Sequence, residues 1–430
     1  MSTAASPGNN STWERLWNGS PALPHTPLDD ETRQCVDLPG TLLPAPEGLN
    51  QPAVFEPAMK QFSRAYRAGE PRFEDPATGR AWHRARRTVL DVVLATIAEG
   101  PWARHLVLRG SVLMATWFPE TARDPGDLDF VVVPQEWAVT EPRTADLFTG
   151  IARAAAAAAP RHDVVIDAGG AVTEDIWTYE RVPGRRMVLP WTAPGTAGGT
   201  VQLDVVFNET LPTPAVLTEL SPLGAGPGSR VLAATPGLSL AWKLLWLVSD
   251  AYPQGKDLYD AVLLAEHAPA SYEQIRSAFV LGGHEGLRPA GRWWLEQLAV
   301  EDGWAHFAAE HPWVEGTAES HAARLERVLA PFFDMAERDG EDAYGRWVRW
   351  LRPLVDTHRA SDATHPAGPL THLAQSERNG LTAAVVVVRE VLGPQAVSVE
   401  EALDVVMSHE AFRIWHGYEY ARSGIIEELS

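Results

Sequence analysis

The spacing of apolar residues predicts a chain that begins with mixed elements and ends with helices. Between Arg84 and Gly100, apolar side chains recur at Val89, Val93 and Ile97, the spacing of one helix face. The segments DLDFVVV (127–133) and VQLDVVF (201–207) instead alternate apolar and polar residues, which is typical of half-buried strands. Both kinds of pattern therefore occur in the first part of the chain.

The intervening segments predict further elements of both kinds. The predicted strands are 106–108, HDVVID and RRMVLPW, with a loop between the last two, and the predicted helices are 112–118, 152–159, LAWKLLWLV and KDLYDAVLLAEH. Residues 270–430 show only helical patterns joined by loops. We therefore predict an α+β fold, a mixed sheet with flanking helices followed by an all-helical C-terminal region.

The same patterns predict three parts of the chain. The first 55 residues are rich in Pro, Ser, Asn and Asp without a sustained period, so residues 1–75 are expected to form a partly irregular N-terminal arm that packs on the rest. Residues 76–268 carry the alternating strands and form the predicted core. Residues 269–430 form the predicted helical region.

Composition narrows the class of protein. Hydrophobic residues make up 45% of the chain and charged residues 21%, and no apolar run approaches the roughly 20 residues that span a bilayer. The N-terminal residues lack the basic start and apolar stretch of a secretory signal. A single cysteine, Cys35, excludes an internal disulfide framework and a cysteine-based zinc site. We expect a cytoplasmic protein without a membrane partner.

The charge balance restricts the partners. The formal net charge is −20, so bulk nucleic acid should be repelled unless a local basic patch receives it or the partner is small. Only three of the 36 basic residues are lysines, at positions 60, 243 and 256. A lysine that persists in an arginine-rich chain is a candidate for a specific role.

Asp127 and Asp129 are candidates for a metal site. Side chains two residues apart on a strand project to the same face, and two close carboxylates are best stabilised by a hard cation such as Mg²⁺. Upstream, Gly110 and Ser111 lie where a strand turns into a helix, a place that offers backbone N–H groups to phosphate. The alternative is a plain turn followed by an exposed strand face. The ordered combination favours a site for phosphate and metal.

Asp204 is the best candidate for a third carboxylate. It projects from VQLDVVF on the face opposite Leu203 and Val205, and aspartate is disfavoured in strands. The alternative is a charge that protects an edge strand from aggregation.

Lys243, Asp257 and Asp260 form a later candidate group. Lys243 lies in the apolar helix LAWKLLWLV and needs an anionic partner, either an aspartate or a triphosphate, unless its amine reaches water. Asp257 and Asp260 are three residues apart and share a helix face, although Asp257 also suits a capping role in the first turn.

These motifs resemble those of the AbiEii/AbiGii toxin family of nucleotidyltransferases, which is similar to the MenT-type toxins and belongs to the polymerase-β-like superfamily. The residues that carry the resemblance are RGS, the Asp-Leu-Asp strand, LDVVF and the pair LAWKLLWL and KDLYDAVLL. The resemblance implies a nucleotidyltransferase-type sheet and core. It also implies that Asp127, Asp129 and Asp204 hold metal and are catalytic together with Asp260. Gly110, Ser111, Lys243 and Asp257 would then bind the nucleotide.

The resemblance further implies a reaction and partners. The expected activity transfers a nucleoside monophosphate from an NTP to an acceptor hydroxyl, with Mg²⁺ or alternatively Mn²⁺ as cofactor. The tRNA 3′ end is one expected acceptor, and a cognate antitoxin protein is an expected partner. Two alternatives stay open: a small metabolite or protein hydroxyl as acceptor, and a non-catalytic domain that binds a nucleotide or a partner.

Overall fold

The structure is a computed structural model, which describes residue 13 and residues 22–178, 182–282, 284–296, 298, 300–361 and 365–429. Residues 1–12 and 14–21 of the predicted arm lie outside the described residues. The chain divides into two compact units. Unit 1 comprises Met1–Glu209 with Ala215–Ala234, and unit 2 comprises Thr210–Pro214 with Thr235–Ser430.

Unit 1 contains an eight-stranded mixed sheet. Its strands are β3 (Leu106–Arg109), β4 (Asp127–Val132), β5 (Val165–Ile166), β6 (Val172–Thr178), β7 (Val182–Thr192), β8 (Gly199–Val206), β9 (Val216–Leu220) and β10 (Ser229–Ala233). The order is β5-β7-β8-β4-β3-β10-β9, and β6 pairs with β7. Strand β4 therefore lies inside the sheet, parallel to β8 and antiparallel to β3.

Three helices cover this sheet or lie beside it. They are α2 (Pro76–Glu99), α3 (Ser111–Trp117) and α4 (Pro142–Ala158). Helix α2 begins where the Asp75 carboxylate accepts hydrogen bonds from the N–H groups of Ala77 and Thr78, and it packs on β8, β10 and α4. Helix α3 follows β3 directly and contacts β4. The strand–turn–helix connection at Gly110 thus lies beside the predicted aspartates.

The N-terminal segment of unit 1 has little regular structure. It contains α1 (Asp30–Cys35), a short 3₁₀ helix (Pro57–Met59) and the two-stranded sheet of β1 (Ala53–Phe55) and β2 (Tyr66–Ala68). Its apolar side chains form a small core of their own, made of Trp13, Leu23, Leu28, Leu38, Leu42 and Ala45. The segment also binds the sheet, because Gly40 N–H donates to Glu174 and Gln61 Nε2 donates to the Asp175 carbonyl.

The described part of unit 2 contains helices and 3₁₀ turns. The α-helices are α5 (Pro236–Ser249), α6 (Gly255–His267), α7 (Tyr272–Gly282), α8 (Trp293–Glu296), α9 (Glu301–Glu310), α10 (Ala318–Ala336), α11 (Ala343–Trp350), α12 (Arg352–Arg359), α13 (Glu377–Leu392), α14 (Val399–Ser408) and α15 (Glu419–Glu428). The 3₁₀ turns span His284–Leu287, Gly368–Gln375 and Glu410–Gly417, and another follows α4 in unit 1 at Ala159–His162. Residues 380–388 of α13 are all buried, so the middle of this helix is enclosed by the elements packed around it.

The predicted α+β class, with a mixed sheet followed by helices, is confirmed. Strands β6, β9 and β10 were not predicted, and β6 occupies part of the segment expected to be a loop between HDVVID and RRMVLPW. Helix α4 begins at Pro142, ten residues before the predicted start. The predicted boundary after residue 268 stays a prediction, and α5 and α6 belong to unit 2. Within the described ranges, no helix is both long and apolar enough to cross a membrane.

Candidate active site

The turn at Gly110 brings the chain close to Asp129. Strand β3 ends at Arg109, and Gly110 adopts φ 83° and ψ −149° before α3 begins at Ser111. This backbone conformation is essentially restricted to glycine. A Cβ atom at Gly110 would also lie 2.6 Å from the Asp129 Oδ2 atom, far inside van der Waals contact. The backbone conformation therefore requires glycine here, and any larger residue would also displace the Asp129 carboxylate.

Asp127 and Asp129 lie together on β4 as predicted. Both are half-buried, whereas Leu128 and Phe130 between and after them are fully buried, so the alternation of the strand places the two aspartates on one face. The Ser111 hydroxyl donates a hydrogen bond to Asp127 Oδ1 at 3.2 Å. The Gly-Ser turn thus contacts both carboxylates.

Asp204 lies beside this pair on the neighbouring strand. In the parallel register of β4 and β8, Asp129 is opposite Asp204 and Asp127 is opposite Gln202. Side chains that face each other across strands project to the same side of the sheet. The structure therefore brings together the five predicted residues of unit 1, which are Gly110, Ser111, Asp127, Asp129 and Asp204.

The Asp204 carboxylate is bound on both oxygens by Arg186. Arg186 Nε donates to Oδ1 at 2.9 Å and Nη2 donates to Oδ2 at 2.8 Å, while Gln202 Nε2 donates to Oδ2 at 3.1 Å. Burial raises the pKa of the Asp204 carboxyl, contact with Arg186 opposes that rise, and the charges of Glu56 and Asp127 add to it.

The carboxylates on β4 are suited to a divalent cation. Asp127 and Asp129 supply two carboxylates on one face of β4, the oxygen ligands that Mg²⁺ prefers. Within the described residues, however, no group of three or more His, Cys, Asp or Glu side chains has an arrangement that could hold a metal ion. The two carboxylates on β4 fit a cation, while both oxygens of the neighbouring Asp204 accept hydrogen bonds from Arg186.

Sequence reasoning did not identify the buried charged partners of these strands. Arg186 Nη1 also donates to Glu56 Oε2 at 3.1 Å, and at the end of β3 Arg109 Nη1 donates to Glu209 Oε2 at 2.8 Å. The sequence did contain a signal for Arg186. A glycine-bearing turn joins β7 and β8 into a hairpin, and pairing residues outward from that turn places Arg186 opposite Asp204. No comparable signal pointed to Glu56, which is distant in sequence.

Lys243, Asp257 and Asp260 form a buried cluster within unit 2. Lys243 on α5 donates from Nζ to Asp257 Oδ1 at 2.7 Å, and its Nζ lies 3.1 Å from Asp260 Oδ2 on α6. The Lys243 side chain is 6% exposed, so its amine does not reach water as the snorkelling alternative required. Lys243 therefore has aspartate partners, the first of the two kinds that the sequence left open.

The predicted site residues thus fall into two groups, one in each unit. The Asp257 carboxylate accepts the Lys243 hydrogen bond, and the N-cap position of α6 is Gln254, which makes no side-chain capping bond. Asp260 is completely buried beside Lys243. A buried lysine with two carboxylates requires this pairing, because unpaired charges are very costly away from water.

Comparisons with known proteins add the following findings. The family model described as nucleotidyl transferase AbiEii toxin, type IV toxin–antitoxin system, matches residues 92–337, more than half of the chain. Among solved structures, the nucleotidyltransferase toxin MenT4 of Mycobacterium tuberculosis H37Rv is similar, with 14% identity and a TM-score of 0.40. That similarity covers 62% of this chain and 86% of MenT4. No curated protein sequence matches the chain. The matched family range contains all eight predicted site residues.

Proposed function

Because the chain belongs to the AbiEii family of nucleotidyltransferase toxins, we propose that Asp127 and Asp129 hold the divalent cation of its transfer reaction. The observation that carries the proposal is the contact of one Gly-Ser turn with both carboxylates, through the Ser111 hydroxyl and the close approach of Gly110. The reaction transfers a nucleoside monophosphate from an NTP to an acceptor hydroxyl. Mg²⁺ is the proposed ion, with Mn²⁺ as the alternative.

The residues around β4 have separate tasks in this proposal. When bound, a divalent cation lowers the pKa of a coordinated hydroxyl and offsets the charge of phosphate oxygens. Ser111 is buried and its hydroxyl orients Asp127, so contact with phosphate falls to the backbone N–H groups of the turn. The absence of a side chain at Gly110 leaves room for Asp129. Positioning and charge compensation then supply the rate enhancement.

The proposed roles of the second group rest on the family resemblance. Lys243 would neutralise the triphosphate, Asp260 would act as a catalytic carboxylate and Asp257 would contribute to nucleotide binding. The ion pairs of Lys243 with both aspartates support a structural role within unit 2 as well. The free energy of unfolding of the Lys243→Met variant measures that structural role.

We propose the tRNA 3′ end as the leading acceptor. We also propose a cognate antitoxin protein as partner, in keeping with the toxin–antitoxin family. The net charge of −20 favours a second candidate, in which the acceptor is a small metabolite or a protein hydroxyl. A phosphate-rich polymer meets long-range repulsion from such a protein, whereas a small acceptor does not. Cytoplasmic location remains a prediction.

A labelling assay tests both the activity and the acceptor. The full-length protein is incubated with Mg²⁺ and each α-labelled NTP in turn, together with total RNA or a small-metabolite extract. We expect label on an RNA of tRNA size from one NTP. Asp129→Asn should lower the rate by roughly 100-fold or more, because one of the two carboxylates that position the cation is lost.

Asp146→Asn is the matched control, since Asp146 is an exposed aspartate on α4 of the same unit. It should transfer at the wild-type rate. Label on metabolites or on protein, and none on RNA, would replace the tRNA acceptor with the second candidate. Equal rates for Asp129→Asn and the wild type would contradict the proposed role of Asp129.

A further inference from the structure

The Arg186 guanidinium lies between two buried carboxylates in unit 1. It holds both oxygens of Asp204 at 2.9 and 2.8 Å, and its third nitrogen binds Glu56 Oε2 at 3.1 Å. The Arg186 side chain is 3% exposed and the Asp204 and Glu56 side chains are each 11% exposed. All the nitrogens of the guanidinium are therefore engaged in a fixed geometry away from water.

The register of the sheet places this arginine in line with the proposed cation site. Arg186 on β7 is opposite Asp204 on β8, and Asp204 is opposite Asp129 on β4. Residues that are directly opposite project to the same face, so the three side chains form a row. The positive charge of Arg186 stands at one end of the row and the cation proposed for Asp127 and Asp129 would lie at the other.

The hydrogen bonds of Asp204 oppose its use as a metal ligand. An ionised carboxylate offers about four acceptor positions, and here Arg186 takes two of them and Gln202 takes a third. A divalent ion on Asp204 would also lie beside the guanidinium, and two cations in a buried site repel each other strongly. Since Asp204 is already neutralised, it gains little from a second positive partner.

Glu56 fixes the other side of the guanidinium. It comes from the N-terminal segment and is itself paired with Arg67, whose Nε lies 3.0 Å from Glu56 Oε2. The charges therefore alternate along Asp204, Arg186, Glu56 and Arg67. Although burial alone would lower it, the attraction of Asp204 and Glu56 raises the pKa of the Arg186 guanidinium, so its charge is permanent.

We propose that Arg186 is a built-in cation that neutralises Asp204, so that Asp127 and Asp129 bind a single divalent ion without Asp204. Arg186 is in this sense a positioning residue, and Glu56 holds it in place. The inference rests on the proposed function, because it presupposes that Asp127 and Asp129 bind the ion. It differs from the expectation drawn from the sequence, in which Asp204 is the third ligand.

Direct Mn²⁺ binding to the full-length protein tests the inference without measuring transfer. Free Mn²⁺ is followed by electron paramagnetic resonance in titrations of the wild type, Asp204→Asn and Asp129→Asn. We expect one Mn²⁺ per wild-type chain, a Kd within about threefold of wild type for Asp204→Asn, and a Kd at least tenfold weaker for Asp129→Asn. A structural role alone would not separate these two aspartates.

Arg186→Gln supplies the complementary measurement. It exposes the Asp204 charge to the ion, so Mn²⁺ should bind severalfold more tightly or a second Mn²⁺ should appear. Arg185→Gln is the matched control, because Arg185 pairs instead with the exposed Asp175 and should leave Mn²⁺ binding unchanged. The double variant Arg186→Gln/Asp204→Asn, which places two neutral amides opposite each other, keeps the test usable if Asp204→Asn alone does not fold.

The outcomes separate the inference from the proposed function. One outcome is that the wild type binds Mn²⁺ but Asp204→Asn or the double variant loses Mn²⁺ binding as fully as Asp129→Asn does. Asp204 is then a ligand, and the inference is overturned while the cation site stands. If the wild type binds no Mn²⁺, the inference and the proposed cation site fall together. Unchanged binding in Arg186→Gln would also contradict the role of Arg186.

Discussion

At the scale of single residues, Gly110 controls the space that the Asp129 carboxylate occupies. Its backbone conformation with φ 83° is one that other residues adopt at a cost of roughly 1–3 kcal/mol. The close approach to Asp129 adds a second constraint, because the nearest oxygen lies 2.6 Å from the position of a Cβ atom. Backbone strain and steric exclusion can be separated by substitution.

Gly110→Ala should lose both stability and activity. The added methyl group forces the Asp129 carboxylate to move, and a displacement of about 1 Å at a catalytic group can reduce the rate by roughly 10²-fold. We expect the free energy of unfolding to fall by roughly 1–3 kcal/mol and the transfer rate to fall by at least tenfold. Urea unfolding and the labelling assay measure the two effects.

Gly195→Ala is the control for this prediction. Gly195 also has a positive φ, 72°, but no atom lies within 4 Å of its would-be Cβ atom. It should therefore lose stability without losing transfer. Equal transfer rates for Gly110→Ala and Gly195→Ala would mean that glycine at position 110 is needed only for its backbone conformation.

The sequence located the aspartates of the site more readily than their partners. Asp127 and Asp129 could be singled out because two carboxylates at strand spacing follow a strand–Gly-Ser–helix turn in that order. Arg186 lies in a strand pattern in which an arginine is unremarkable. Its role becomes evident only from the register that places it opposite Asp204. Glu56 could not be predicted, because its contact with Arg186 joins residues 130 positions apart.

At the scale of elements, α5 and α6 are joined by a buried ion-pair cluster. Lys243 on α5 is the shared partner of Asp257 and Asp260 on α6, and Asp260 is fully buried. The lysine also lies 5.2 Å from the centre of the Trp246 ring. Removal of the amine would leave two buried carboxylates without their cation, a larger penalty than loss of the attraction itself.

Lys243→Met should therefore destabilise unit 2. We expect a loss of about 3–5 kcal/mol in the free energy of unfolding, because the variant leaves buried charge uncompensated. Chemical denaturation measures the change. Lys256→Met, at a half-buried lysine one residue before Asp257, should change it by about 0.5 kcal/mol or less. A loss below about 1 kcal/mol for Lys243→Met would mean that the pair contributes little to folding.

The elements that the sequence predicted are those with a strong burial pattern. Strands β4 and β8 were found because their apolar residues are buried along the strand. Strand β9 was missed because Val216 and Leu217 are exposed and only Leu220 is buried, so its pattern shows neither alternation nor a continuous apolar run. Helix α4 was predicted too short, although Pro142 at its start is a common first helical residue.

At the scale of the whole molecule, the net charge of −20 predicts long-range repulsion between the protein and a nucleic-acid acceptor. The resemblance to the AbiEii toxins is confirmed, whereas the tRNA acceptor stays a proposal. Salt weakens the long-range repulsion between the protein and RNA, which favours binding. Salt also weakens attraction through phosphate contacts, which disfavours binding. The salt dependence of transfer therefore shows which of the two dominates.

We expect transfer to RNA to be no slower at about 200 mM KCl than at about 50 mM. A protein that binds nucleic acid through 6–10 phosphate contacts loses about 10³–10⁵-fold in affinity over that range. Rates at subsaturating RNA measure the effect, and transfer to a small acceptor serves as the control for direct effects of salt on the reaction. A fall of more than about tenfold with RNA alone would reveal a local basic patch that outweighs the net charge.

The contact between Glu56 and Arg186 has a consequence for the order in which the site forms during synthesis. A ribosome adds Arg186 130 positions after Glu56, and Asp204 follows 18 positions later. A nascent chain that ends within β7 carries Asp127 and Asp129 but lacks the neighbouring strand on which Asp204 lies. The charged row is completed only when most of unit 1 has been made. Truncated translation products that end before β8 should therefore lack transfer activity, because β4 has lost the strand beside it.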